Sequence, residues 1–218
     1  MAGPDHEATY DVATQTRLLA AEMFAGLDEE QWRRPSLCAG WTVREVAAHL
    51  AEPLETGMST LGLLVGVIRA RGSLDRMVDT SARRFATRST DELVGLLRER
   101  ADVRLSPPVI GPRGPMADSL IHLRDAARPL GLDANPPPEH WRHVLDFVAD
   151  PKGTTTGFVG RGHLRGLRLV ATDQAWTHGD GQELRGPSEA LVMTLTGRAV
   201  ALDDLAGPGV DALRRRLR

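Results

Sequence analysis

Apolar residues recur at helical spacing through most of the first 135 residues. Over residues 9–27 they stand at mostly helical spacing without an internal proline, which predicts a first long helix. Two later segments open with the S/T-x-x-E spacing of a capping box, at Thr42 and at Ser89, and each predicts a helix start. Another helix is predicted after the proline-rich loop 106–115. This part of the chain therefore predicts an all-helical bundle.

Pro53 interrupts the helix that begins after Thr42. Because proline lacks a backbone donor, this helix is predicted to kink at Pro53 or to end near Ala51. The helical pattern resumes over 54–70. Its apolar stretch, 61–68, is shorter than the roughly 18 residues that a membrane span needs, so we predict that it belongs to the core.

The pattern changes after the triple proline 136–138. A helix is predicted over 139–148, and from residue 164 the chain shows short extended runs separated by glycine-containing turns. The predicted strands are 167–171, 174–177 and 182–184, and the helices predicted after them are 187–195 and 209–217. Strands followed by helices indicate a small α+β domain.

Three parts follow from these patterns. They are a helical bundle at 1–135, a connecting helix and linker at 136–154, and a small α+β domain at 155–218. The predicted fold class is therefore α with a small α+β part at the C-terminus.

Composition and charge narrow the function classes. Hydrophobic residues make up 41% of the 218 positions and charged residues 26%, as in globular proteins. The formal net charge of −2 does not indicate a nucleic-acid partner or a basic membrane-binding surface. The first ten residues contain acidic side chains and no apolar core, so no signal peptide is predicted. We expect a cytoplasmic protein, monomeric or homodimeric, that acts on a small molecule.

The chain has one cysteine, Cys38, which excludes an internal disulfide and fits a reducing compartment. Cys38 precedes the first capping box. The favoured interpretation is a buried small residue, because the sequence assigns it no neighbouring base or positive cluster. A reactive thiol is the alternative.

Two segments carry residue types that bind metals. Asp118 and His122 are four apart on a predicted helix, so both side chains lie on one face, one turn apart. His49 lies about two turns into the helix that starts after Thr42. Together they offer two imidazole nitrogens and a carboxylate. Three protein ligands leave one coordination position for an outside ligand, as in catalytic zinc sites.

The spacing alone leaves other interpretations open, because D-x-x-x-H is less specific than H-E-x-x-H. His49 flanks an apolar stripe and can be a hydrogen-bonded packing residue. Asp118, His122 and Asp125 can form the solvated face of an amphipathic helix. Asp125 can also accept the proton of a ligating imidazole, although pairing with Arg128 or exposure to water is the favoured interpretation.

The segment 37–50, LCAGWTVREVAAHL, resembles the signature of the mycothiol-dependent maleylpyruvate isomerase family, which belongs to the DinB-like metalloprotein superfamily. The segment 118–131, which ends in Arg-Pro-Leu-Gly, is similar to the second metal-binding segment of that family. Further similar segments lie at 164–173, 184–187 and 195–198. The resemblance therefore spans nearly the whole chain.

This resemblance implies an N-terminal DinB-like four-helix bundle followed by a small sterol-carrier-like domain. It implies that His49, Asp118 and His122 hold a divalent metal ion, and that mycothiol is a cosubstrate. It also implies an arginine in the C-terminal domain that is important for activity. The best match is Arg198, whose alternative interpretation is a surface arginine at a helix end.

One ligand departs from the family pattern. The characterised isomerase has glutamate as its carboxylate ligand, whereas this chain has Asp118, which is one methylene shorter. Either the helix lies closer to the metal or the carboxylate binds in another mode, so the reaction stays open. Two imidazoles and a carboxylate fit zinc most simply, and ligand type alone leaves nickel, iron and manganese open.

The functional hypothesis is a metal-dependent, mycothiol-using isomerase or S-transferase, in which a metal-bound thiolate attacks an electrophilic small molecule. Addition of the thiolate is transient in isomerisation and permanent in a thiol conjugate. Two alternatives come from other classes. One is a non-catalytic small-molecule-binding protein on the same scaffold, and the other is a hydrolase that uses metal-bound water.

Overall fold

The computed structural model describes residues 4–57, 73–155 and 157–217. The chain divides into two compact units, Met1–Asn135 and Pro136–Arg218. Most of the helix predicted over 54–70, including its apolar stretch, lies outside the described residues. No helix in the described segments combines the length and the apolar character that crossing a bilayer requires.

The first unit is helical. In its described residues the helices are α1 (Pro4–Ala25), α2 (Glu29–Arg33), α3 (Val43–Thr56), α4 (Leu74–Phe85), α5 (Thr90–Glu99) and α6 (Arg113–Ala127). Four of them form a ring, since α1 packs against α5 and α6, and α3 packs against the same two helices. α4 packs against α3. This arrangement confirms the predicted four-helix bundle.

Capping boxes fix the starts of α3 and α5. The carboxylate of Glu45 accepts a hydrogen bond from the backbone N–H of Thr42 (2.8 Å) and another from its hydroxyl. Glu92 accepts the same two bonds from Ser89, at 2.8 and 2.7 Å. Both predicted helix starts are thereby confirmed. Because the first box sets where α3 begins, it places His49 about two turns along that helix.

α3 continues through Pro53 to Thr56, so the predicted end near Ala51 is wrong. Proline inside a helix deprives the carbonyl four residues earlier of its usual donor. Packing compensates for this loss, because Ala51 and Leu54 on either side of Pro53 are almost completely buried. α3 ends instead at Gly57, whose φ of +71° suits a residue without a side chain.

One charged residue, Arg17, lies on the buried side of α1. Arg17 is 3% exposed, and its Nη1 donates to the carbonyls of Ala101 (2.9 Å) and Val103 (2.8 Å). These carbonyls lie in the segment after α5, where no described helix or strand supplies backbone donors to them. Burial lowers the pKa of Arg17 to about 10, although attraction to Asp118 and Asp102 opposes the shift.

α6 is buried on nearly all sides. Asp125 is completely buried, whereas the side chains of Asp118 and His122 are 33% and 14% exposed. The interpretation of these three residues as a solvated helix face is therefore wrong. Only Asp118 and His122 border solvent along this face.

The second unit is a small α+β fold, as predicted. Its described elements are α7 (Pro138–Ala149), α8 (Pro151–Thr155), β1 (Leu167–Ala171), β2 (Thr177–His178), β3 (Gln182–Gly186), α9 (Ser188–Leu195) and α10 (Gly209–Arg216). The strand order is β2–β1–β3, with β1 parallel to β3 and antiparallel to β2. α9 is buried along its length and packs against α7, β1 and β3.

β2 is shorter than the predicted strand 174–177 and lies later in the chain. The Nε2 of Gln174 donates to the carbonyl of Pro138 and to the hydroxyl of Ser188, both at 2.7 Å. Asp173 accepts the backbone N–H of Ser188 at the start of α9 (3.1 Å). These side chains hold the segment against helix ends, which competes with strand pairing.

Replacing Arg17 by Met should destabilise the first unit, because the carbonyls of Ala101 and Val103 would lose a buried donor. We expect urea denaturation to show a loss of about 2–4 kcal/mol in the free energy of unfolding. The matched control is Arg98→Met, since Arg98 forms a 3.0 Å ion pair with Glu22 at the surface. The control should lose less than about 1 kcal/mol. Equal losses would contradict the structural role of Arg17.

Candidate metal centre

The side chains of His49, Asp118 and His122 converge in the first unit. Nε2 of His49 is 3.2 Å from Oδ2 of Asp118, and Nε2 of His122 is 3.3 Å from Oδ1 of Asp118. The two imidazole rings meet edge to face, with their centroids 4.7 Å apart. One ligand atom from each of the three residues lies within 4.8 Å of the others. Thus α3 and α6 bring together the three ligand candidates selected from the sequence.

The separations between these atoms are compatible with metal ligands, although the two distances end on different oxygens of Asp118. Two ligands of a tetrahedral zinc ion, each about 2.0–2.2 Å from the metal, stand about 3.3–3.5 Å apart. A charge-assisted hydrogen bond between nitrogen and carboxylate would instead measure about 2.7–2.9 Å. The observed 3.2 and 3.3 Å lie close to the first range. Two imidazoles and a carboxylate are also a donor set that suits a divalent metal.

This group of three residues borders solvent. The side chains of His49 and His122 are 16% and 14% exposed, and that of Asp118 is 33% exposed. In the part of the chain that the structure describes, no fourth His, Cys, Asp or Glu joins the group. A site with three protein ligands beside solvent has access to an outside ligand.

Asp125 and Cys38 contact the other side of the His122 ring. Nδ1 of His122 donates to Oδ2 of Asp125 (2.9 Å), and the Cys38 thiol donates to the same oxygen (3.1 Å). Sγ of Cys38 is 3.4 Å from Nδ1. The 2.9 Å separation is a hydrogen-bond distance, so we assign this cluster to support of His122 rather than to a second cation. A carboxylate on Nδ1 keeps a proton on that nitrogen, so Nε2 is the atom that a metal ion would bind in place of its proton.

These contacts revise two interpretations. The favoured expectation from the sequence is that Asp125 pairs with Arg128 or faces water. Asp125 is completely buried, so exposure to water is wrong, and pairing with Arg128 stays a prediction. Its position three residues after His122 was a usable signal, because residues three apart share a helix face. Cys38 is half-buried, but its contacts with His122 and Asp125 join residues more than 80 positions apart. No local pattern could have indicated them.

Trp41 forms an aromatic wall beside the two histidines. Its ring centroid is 5.3 Å from that of His49 and 6.3 Å from that of His122. The indole Nε1 donates to Oδ1 of Asp79 (2.8 Å), which also accepts a hydrogen bond from Nε of Arg83 (2.9 Å). The hydrogen bond to α4 fixes the orientation of the indole. Trp41 therefore restricts the positions that both imidazoles can adopt.

The charges of Asp118 and His122 depend strongly on each other. Burial acts to raise the pKa of Asp118, but attraction to His122 and His49 outweighs it and holds that pKa far below its usual range. Burial likewise acts to lower the pKa of His122. The Asp118 carboxylate, with hydrogen bonds to Asp118, Asp125 and Cys38, instead raises it well above the usual value. In the absence of a metal, these groups therefore form an ion pair.

Arg198, the predicted catalytic residue, lies in the second unit after α9. Its Nη1 donates to the carbonyl of Thr196 (2.7 Å), and its backbone N–H donates to the carbonyl of Met193 (2.8 Å). Both contacts satisfy acceptors at a helix end. The assignment of Arg198 to the reaction stays a prediction.

A family model described as the mycothiol maleylpyruvate isomerase N-terminal domain matches residues 13–165, which is more than half of the chain. The chain belongs to this family. The match begins within α1 and covers this chain's three candidate ligands, His49, Asp118 and His122, together with Cys38 and Asp125. The resemblance inferred from the sequence is thereby confirmed.

The fold agrees with this family. The chain is similar to a crystal structure of the mycothiol-dependent maleylpyruvate isomerase, with a TM-score of 0.58, 17% identity, and coverage of 93% of this chain and 92% of that one. A mutant of that isomerase matches with a TM-score of 0.56 and 16% identity over the same shares. At such identities the likeness shows the fold alone. Among curated proteins, none matches this chain.

The raised pKa of His122 predicts how the stability of the metal-free protein depends on pH. An unfolded histidine has a pKa of about 6.5, whereas folded His122 keeps its proton to a higher pH. Its stabilising contribution is therefore complete below the unfolded pKa and is lost as the pH rises through the folded pKa. Urea unfolding with a chelator present should show the free energy of unfolding falling above about pH 6.5, by at most about 1.4 kcal/mol per pH unit.

The His122→Asn variant is the control for this measurement, because asparagine does not titrate. The free energy of unfolding of this variant should not show the decline with rising pH that comes from His122. The same decline in both proteins would show that another group is responsible.

Proposed function

We propose that this chain is a metal-dependent, mycothiol-using isomerase or S-transferase that acts on an electrophilic small molecule. The family assignment supports the use of mycothiol and the isomerase class. The observation that carries the metal dependence is the convergence of His49, Asp118 and His122 at separations suited to metal ligands. The partial exposure of these side chains supports access for an outside ligand.

Each side chain of the site would have a separate role. His49 and His122 would present their Nε2 atoms to a divalent ion, with zinc the simplest choice, and Asp118 would present its carboxylate. When bound, the ion would supply the positive charge that lowers the pKa of a thiol brought to it. Asp125 would hold the Nδ1 proton of His122, and Trp41 would shield one side of the histidines from water.

In the proposed reaction the mycothiol thiol first releases its proton to solvent, which returns it at the end. The sulfur then bonds to an electrophilic carbon of an enone or a similar acceptor. The electron pair of the carbon–carbon double bond moves towards the carbonyl oxygen, which gains negative charge. In isomerisation, the weakened bond rotates, the carbon–sulfur bond breaks, and the thiol is regenerated with the isomer. In S-transfer, a proton is added instead and the thiol conjugate is the product. Arg198 is our candidate for the cation that stabilises the oxygen.

Metal content tests the first part of this proposal. The purified wild type should bind about one zinc ion per chain, and His49→Ala and His122→Ala should each bind almost none, because a three-ligand site loses a third of its donors. His178→Ala is a suitable control, since His178 is exposed on β2 in the other unit. Elemental analysis by mass spectrometry measures all four proteins. Full metal content in both ligand variants would exclude the site.

Turnover with a panel of electrophiles tests the second part. Product formation should require mycothiol, should stop when a chelator removes the metal, and should return when zinc is added. Mass spectrometry distinguishes an isomer from a thiol conjugate. Metal-dependent hydrolysis without mycothiol would contradict the proposal in favour of a hydrolase. Saturable binding without turnover, unaffected by chelation, would contradict it in favour of a binding protein.

A further inference from the structure

The Cys38 thiol has no part in the reaction proposed above, yet it contacts both His122 and Asp125. We propose that Cys38 is a positioning residue of the metal centre, whose thiol holds the Asp125 carboxylate in the orientation that in turn orients His122. This inference rests on the proposed function, because it concerns a metal ion held by His122. It assigns to Cys38 a role that acts through two other side chains rather than on the metal or the substrate.

Two donors converge on one buried oxygen of Asp125. Oδ2 of Asp125 accepts the Nδ1 proton of His122 at 2.9 Å and the thiol proton of Cys38 at 3.1 Å. Asp125 is completely buried, and a buried carboxylate depends on its donors for its stability and for its orientation. Removing the thiol would therefore leave Oδ2 with one donor fewer and hold it less firmly relative to the imidazole. The direction of the Nε2 lone pair would then be less well fixed.

Backbone hydrogen bonds place Cys38 independently of its thiol. The N–H of Cys38 donates to the hydroxyl of Ser36 (3.1 Å), and the carbonyl of Cys38 accepts the N–H of Trp41 (3.0 Å). The N–H of Leu37 donates to the backbone carbonyl of Asp125 (3.0 Å). The loop that contains Leu37 and Cys38 therefore contacts Asp125 twice, once through the backbone of Leu37 and once through the thiol of Cys38. Since this loop leads directly into α3, the same residue of α6 is tied to the helix that carries His49.

Zinc affinity tests the inference, measured by competition with a chromophoric chelator. Changing an outer partner of a metal ligand commonly weakens binding about 10- to 100-fold. We expect Cys38→Ala to weaken zinc binding about tenfold, the lower end of that range, because Cys38 acts through Asp125. Cys38→Ser keeps a donor at this position and should bind zinc almost as tightly as the wild type. The visible absorption bands of the cobalt-substituted protein should shift in Cys38→Ala and stay unchanged in Cys38→Ser.

A second variant separates the thiol from the order of the loop. Ser36→Ala removes the hydroxyl that accepts the Cys38 N–H and donates to the carbonyl of Trp41 (2.9 Å), but it leaves the thiol in place. Its zinc affinity should fall less than that of Cys38→Ala, because the backbone hydrogen bonds of Leu37 and Trp41 still hold the loop and the thiol remains. Urea denaturation of each metal-free variant checks that it is folded.

Three results would overturn the inference alone: wild-type zinc affinity in Cys38→Ala, equal weakening in Cys38→Ser, or equal weakening in Ser36→Ala. The second would show that hydrogen-bond donation from position 38 is not responsible, and the third that loop order is responsible. Absence of zinc binding by the wild type would overturn the proposed function, and this inference with it. The wild-type measurement therefore distinguishes the two failures.

Discussion

The carboxylate of Asp118 between two imidazoles is the interaction on which the rest of this structure depends. It joins α3, which carries His49, to α6, which carries Asp118 and His122. Charged groups that are partly withdrawn from water are stable only with partners, and here each partner is positioned by a helix of the bundle. The capping box at Thr42 fixes the start of α3, and the nearly complete burial of α6 fixes its rotation. The bundle thus holds the three side chains at separations suited to a metal ion.

The features that depend on short-range residue spacing were predictable from the sequence. Capping-box spacing located the starts of α3 and α5, and i, i+4 spacing placed Asp118 beside His122. Sequence could not show that α6 is buried on nearly all sides, because that depends on what packs around it. For this reason the role of Asp125 was misjudged, and the contacts of Cys38 were missed. Arg17 was missed for the same reason, since its acceptors, the carbonyls of Ala101 and Val103, lie far along the chain.

The aspartate that departs from the family pattern is compatible with the site. Each oxygen of Asp118 faces a different imidazole, at 3.2 Å and 3.3 Å, so the shorter side chain still reaches both. In the second unit the predicted strands and helices were largely correct. The predicted strand 174–177 began too early, because the side chains of Asp173 and Gln174 bind helix ends and do not leave this segment free for strand pairing. The helix predicted to connect the domains, α7, packs within this unit against α9.

We propose that His49, Asp118 and His122 hold one divalent ion and leave it a position for an external thiol. X-ray absorption at the zinc edge, with and without mycothiol, measures this directly. Without the thiol, the account predicts two imidazole nitrogens and carboxylate oxygen at about 2.0–2.2 Å and no sulfur, and with it one added sulfur at about 2.3 Å. Sulfur bound to zinc before mycothiol is added, or no sulfur after it is added, would contradict the account.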